Sequence, residues 1–161
     1  MALNLVTLQA SLKNLIDKNN STTSSYDISS SLNERVKFIG IGDVDNSPIP
    51  NTQYPAVLVK LKSKSEEFSQ LGNSAKRKCN ISFEVCPITM YGMGVGLGGQ
   101  KADEECIYLA QNIEALLRAY ITLSSTVDYS LIVNTTFEDK VQNDTWNKIA
   151  RITLETYKLT V

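Results

Sequence analysis

Residues 102–122, ADEECIYLAQNIEALLRAYIT, decide the fold. Cys106, Leu109, Ala110, Ile113, Leu116, Leu117 and Tyr120 recur at spacings of three and four, so all seven share one helical face. Asp103, Glu104 and Glu105 occupy the first turn and Arg118 the last, which suits the helix dipole at both ends. A lone helix of this length is marginal in water, so its apolar face needs a cover. The other strong signals in the chain are strands and one short helix. The cover is therefore a sheet.

Upstream, Leu5, Leu8, Leu12, Leu15 and Ile16 predict a first amphipathic helix over residues 3–18. Asn19 to Ser31 is dominated by Ser, Thr and Asn and reads as a flexible polar connector, pinned by Tyr26 and Ile28. Arg35 to Ile41 is a short strand candidate. Gly42 to Gln53, with Pro48, Pro50 and an Asp-Val-Asp-Asn run, reads as a surface loop. Tyr54-Pro55 then opens a strand over Ala56 to Leu61, with Val57, Val59 and Leu61 on one face and Leu58, Lys60 and Lys62 on the other. Ser63 to Ala75 is polar and is expected to link two antiparallel strands as a long loop or protruding hairpin.

Lys76 to Met90 has the cleanest strand pattern. Cys79, Ile81, Phe83 and Val85 alternate with Lys78, Asn80, Ser82 and Glu84. Downstream of the long helix, Val127, Tyr129, Leu131, Val133 and Phe137 alternate along another strand. Glu138 to Asn147 reads as a polar turn carrying Trp146. Ile149 to Val161 closes the chain as a strand, with Ile152 and Leu154 on one face and Ile149, Tyr157 and Leu159 on the other. The expected fold is α+β: a single domain over 1–161, with a mostly antiparallel sheet of four to five strands and two helices packed against it.

At 161 residues one core suffices, and 16 basic against 17 acidic residues give no basic excess for tight nucleic-acid binding. The sequence has no histidine. That removes the commonest general base and metal ligand, and the Ser-His and Cys-His nucleophile schemes with them. Cys79, Cys86 and Cys106 show no CxxC spacing, and Cys79 and Cys86 fall on opposite faces of a regular strand. Free thiols are expected, Cys106 as a small core residue. No basic-then-apolar leader opens the sequence and no apolar run reaches about 18 residues, so a soluble chain outside the secretory route is expected, with no membrane partner. The four Asn-x-Ser/Thr triplets, at Asn20, Asn80, Asn134 and Asn143, are what chance gives in a chain this rich in Asn, Ser and Thr.

Three signals could carry chemistry. Gly94-Val95-Gly96-Leu97-Gly98-Gly99 matches GxGxxG between a strand and a helix, where a dinucleotide phosphate could rest on the helix N-terminus. Asp103, Glu104 and Glu105 would oppose that phosphate, and the flanking strands alternate as half-exposed antiparallel strands do. A mobile glycine loop over 92–100, or one that orders against a partner through Met93, Val95 and Leu97, competes with nucleotide or small-ligand binding. Lys76-Arg77-Lys78 is split by strand alternation and reads as a solvated strand end. Glu66-Glu67 and the acidic run at 103–105 read as solvated or dipole-facing carboxylates. No catalytic, metal or cofactor residue is expected, and no enzymatic activity.

The order of elements resembles the tail terminator and related neck proteins of long-tailed bacteriophages. The resemblance lies in the N-terminal helix and the Tyr54-Pro55-Ala56-Val57 strand entry, then the long strand from Arg77 to Val85. A loop, the acid-started helix Asp103 to Tyr120 and two closing strands with Trp146 and Arg151-Ile152-Thr153-Leu154 complete it. It implies a structural virion protein, made in the host cytoplasm. Such a protein forms a ring, usually of six subunits, at the head-proximal end of the tail tube. The ring ends tube polymerisation and joins the tail to the head or its connector. The implied partners are copies of itself, the tube protein, the connector or adaptor protein and, in a contractile tail, the sheath protein, with DNA crossing the lumen without specific binding. A head-completion or tail-completion adaptor of the neck is the neighbouring alternative. A ring needs heterologous contacts, which exposed strand edges or protruding loops can supply. The long C-terminal strand and the 63–75 segment are the candidates, with Glu66, Glu67, Phe68, Lys76, Arg77, Met93, Val95, Leu97, Tyr157 and Leu159 as interface residues.

Overall fold

The computed structural model describes residues 3–46, 49–68, 76–91, 100–142 and 145–160. Its elements run α1 (Leu5–Lys18), β1 (Phe38–Ile41), β2 (Ala56–Phe68), β3 (Arg77–Met90), α2 (Gln100–Ala119), β4 (Tyr129–Gln142) and β5 (Thr145–Thr160). The strands form one five-stranded sheet in the order β1-β2-β3-β5-β4. The α+β architecture read from the sequence is the one observed.

Both helices lie on one face of the sheet. Leu109, Ile113, Leu116 and Leu117 of α2 and Leu8, Leu12, Leu15 and Ile16 of α1 pack on Val57, Val59, Ile81, Phe83, Val85, Ile152 and Leu154. The stripe that opened the sequence reading is buried from Cys106 to Leu117. Tyr120 departs from it. It falls just past the end of α2, is 40 % exposed, and meets Tyr26 edge-on at 6.0 Å. Glu105 departs the other way. It is 2 % exposed, accepts the Asn33 backbone N–H at 3.2 and 3.3 Å, and pairs with Lys101 at 3.4 Å. A buried carboxylate is tolerable because those partners replace water.

The segment after α1 is more structured than its polar composition suggests. The Asn19 amide donates to the Leu15 carbonyl at 2.8 Å, the Ser29 hydroxyl donates to Asn20, and Asn112 of α2 donates to the carbonyls of Ile28 and Ser30. Short polar side chains here supply the hydrogen bonds that a helix or ladder would otherwise supply. Ile28 is fully buried among them.

Three expectations change on the sheet. The first strand pairs with β2 in parallel, Phe38 opposite Ala56 through Ile41 opposite Val59, rather than antiparallel. A parallel pair needs a long crossover, and residues 42–55 provide it. That crossover is not merely a surface loop. Val44, Ile49 and Tyr54 fold onto the second face and bury Ala56, Leu58, Cys86, Ile88 and Ile149 in a smaller core. Ser82 and Glu84, expected on a solvent face of β3, are therefore buried too. Finally, the expected turn over Glu138 to Asn147 is mostly strand: β4 runs to Gln142 and Trp146 lies in β5 opposite Val141.

Candidate assembly surface

The strands β2 and β3 outrun the crossover-covered part of the sheet and, with β5, form an arm. Across it Phe68 pairs with Arg77 and Arg77 with Thr160, and Glu67 pairs with Lys78 and Lys78 with Leu159. The expected link between the strands is thus a protruding hairpin with paired legs, its tip at 69–75 lying outside the described residues. Directly opposed residues share a face. Glu66, Phe68 and Arg77 therefore project on the helix face, and Glu67, Tyr157 and Leu159 on the other.

The arm is held by weak, exposed contacts. The Arg77 guanidinium lies 5.6 Å from the Phe68 ring centre and 3.4 Å from the Glu66 carboxylate, which also pairs with Lys64. These hydrogen bonds hold the Glu66 carboxyl below its usual range, Lys64 contributing most. Phe68 remains 67 % exposed. On the other face the Lys78 ammonium sits 4.8 Å above the Tyr157 ring, which stacks on Tyr129 at 6.1 Å. The Leu159 N–H donates to Asp128 at 2.7 Å.

Six of the ten residues singled out in the sequence, Glu66, Glu67, Phe68, Arg77, Tyr157 and Leu159, therefore meet at one end of the sheet. Lys76 immediately precedes β3 and is exposed. Met93, Val95 and Leu97, with the glycine loop 92–99, lie outside the described residues. The C-terminal strand does not offer the expected free edge, because β5 is enclosed between β3 and β4.

Among the described residues β4 forms an unpaired edge of the sheet, which sequence reading did not single out. Tyr129, Leu131, Val133, Phe137 and Val141 are 43–57 % exposed along it, and Trp146 beside it is 55 % exposed. The alternation predicted the strand, but a bulge between Ile132 and Asn134 switches its faces: Tyr129 and Leu131 lie on the second face, Phe137, opposite Ala150, on the helix face, and all three stay more than 40 % exposed. Ile132, opposite Leu154, reaches the core. Against α2 the edge leaves an apolar cleft of about 190 Å³, lined by Leu117, Ile121, Leu131 and Ile132. One signal could have marked the edge beforehand. The run Tyr129–Phe137 has no charge, no proline and no glycine.

Between the small core and the open end, the second face carries a charge network. Arg151 contacts Glu138 at 2.6 Å, Glu84 at 2.9 Å and Asp45 at 3.1 Å, and Lys60 contacts Asp43 at 2.9 Å. Burial would lower the Arg151 pKa, but its hydrogen bonds to Glu138 and Glu84 outweigh that and raise it further. The hydrogen bond from Lys60 lowers the Asp43 pKa, and that from Lys140 lowers the Asp45 pKa. Every acid in this group has a basic partner. The network clips the crossover to the sheet and leaves no unpaired general acid or base.

The cysteines are free, as expected, and all three are buried, Cys106 in the core as its place on the α2 stripe predicted. Cys79 belongs to the helix-face core and Cys86 to the smaller one, on opposite faces. Burial pushes the Cys106 thiol up to about 12 and the Cys86 thiol higher still. Neither is a nucleophile at neutral pH. Among the described residues no cluster of His, Cys, Asp or Glu has the makings of a metal site, and no helix is long and apolar enough to cross a membrane. The chain matches no family model and no curated protein sequence.

Proposed function

We propose that this chain is a structural ring subunit of a long-tailed bacteriophage, seated at the head-proximal end of the tail tube. It ends tube growth there and offers a surface to the head or its connector. The observation that supports this reading is the state of the sheet margins. A strand of 14 residues forms one edge, with Tyr129, Leu131, Val133, Phe137 and Val141 exposed along it, and a three-stranded arm with an exposed Phe68 projects beyond the cores. Edges and apolar patches of this kind mark places where another chain docks. Docking of one copy on a different surface of the next closes into a ring where the rotation between copies closes. The near-even charge suits a lumen that DNA crosses without sticking.

Light scattering after size exclusion, with negative-stain microscopy, tests this reading on the chain alone and mixed with phage tail tubes. Rings of about six subunits, or rings capping tube ends, are the expected result. A monomer that neither self-assembles nor binds tubes at high concentration overturns it. Binding to a head connector without binding to tubes identifies the neighbouring adaptor role instead.

A further inference from the structure

The β4 edge lacks the usual protection. Natural edge strands are shortened, charged or covered, because an uncharged, β-prone edge pairs with whatever chain it meets. Tyr129–Phe137 is nine residues of that kind. The charged residues that follow are already engaged, Glu138 with Arg151, Asp139 with Tyr91 and Lys148, and Lys140 with Asp45. Only the bulge at Val133 interrupts the edge.

The opposite side of the same sheet carries a complementary edge. β1 covers β2 only from Ala56 to Val59, so among the described residues no strand pairs with the outer side of Lys60–Phe68. Successive antiparallel pairings make β2 and β4 run in opposite directions. Two copies placed side by side in one orientation thus present β4 of one antiparallel to β2 of the next. The interruptions also match. The β2 shift between Leu61 and Ser63 and the β4 shift between Ile132 and Asn134 lie on one level, joined by the pairs Leu61–Phe83, Phe83–Leu154 and Leu154–Ile132. Of the lysines on the β2 edge, Lys60 pairs with Asp43 and Lys64 with Glu66, while Lys62, at the level of the shift, is 52 % exposed and meets Glu84 only at 4.0 Å. Two β2 edges would bring their Lys62 side chains together, whereas the uncharged Tyr129–Phe137 part of β4 accepts one.

We infer that the β4 edge of one copy pairs antiparallel with the Lys60–Phe68 edge of the next, a heterologous contact that continues the sheet from subunit to subunit. The inference rests on the ring reading and names the surfaces that build it. A charge placed on β4 tests it through its sign. Val133→Lys should abolish rings, Val133→Glu should keep them, and Lys62→Glu added to Val133→Lys should restore them. Both positions, Val133 and Lys62, are exposed, so unchanged melting curves verify the fold. Cysteine cross-linking gives a second measurement, since the native thiols are buried. Leu131→Cys protein mixed with Ser63→Cys protein should form a disulfide-linked dimer, and neither should do so alone. Rings that form while Val133→Lys and Val133→Glu behave alike, or Leu131→Cys linking to itself, overturn the edge pairing and leave the ring reading standing. Absence of rings from the unaltered chain under every condition removes both.

Discussion

Strands β3 and β4 look alike as sequence and differ in almost everything else. Cys79, Ile81, Phe83 and Val85 alternate with polar residues along β3, and Tyr129, Leu131, Val133 and Phe137 along β4. In β3 the apolar set is at most 1 % exposed; in β4 each member is more than 40 % exposed. The difference comes from position. β3 is central, with helices on one face and the crossover on part of the other, while β4 is the outer edge and carries a bulge. Period-two alternation says that a strand forms. It says neither whether a bulge switches the faces part-way, as in β4, nor whether a face is covered.

The largest expected effect breaks the comparison by truncation. Phe83→Ala should cost about 3–5 kcal/mol in a denaturant melt, because it opens a cavity in a fully buried site. Phe137→Ala, at 45 % exposure, should cost under about 1 kcal/mol. Equal losses would mean that β4 is covered in the isolated chain. Next comes assembly: Val133→Lys should remove rings while Phe83→Leu leaves any that form intact. A smaller effect is chemical. Cys79, Cys86 and Cys106 should stay unreactive to a thiol reagent until the chain unfolds, and a cysteine introduced at Leu131 should react at once. The smallest is the response of the clipped crossover to acid. Asp43 and Asp45 have folded-state pKa values below the ordinary 3.8, so each stabilises the fold above that value. That contribution is lost as pH falls through the lowered values. Amide protection around Val44, corrected for intrinsic exchange, should therefore fall below about pH 4, where protection in β3 does not.

Much of the fold was legible because it is written in local periodicity. The α2 stripe, the β3 alternation and the strand entry at Tyr54-Pro55 all appear in the structure where they were read. Three of the misreadings share one cause. Glu105, Ser82 and Glu84 are buried polar residues, and burial of a polar group depends on partners or cover distant in sequence: Asn33 for Glu105, Arg151 for Glu84. The candidate surface was half legible. The exposed residues of the arm followed from composition and alternation, but the edge did not, because β5 rather than β4 was expected to be outermost.

By itself the sequence determined the α+β class, the helix that carries the main core, the separation of Cys79 from Cys86 and the lack of any histidine chemistry. These follow from spacing and residue type, which act over a few neighbouring positions. Only the tertiary structure decided the strand order, the parallel β1–β2 pair, the second core under residues 42–55 and which strand is left bare. Strand order is a matter of backbone hydrogen bonds between segments far apart in the chain, and such bonds carry no residue-type signature. Two strands with the same alternation thus become, in one molecule, its best-covered element and its most open one.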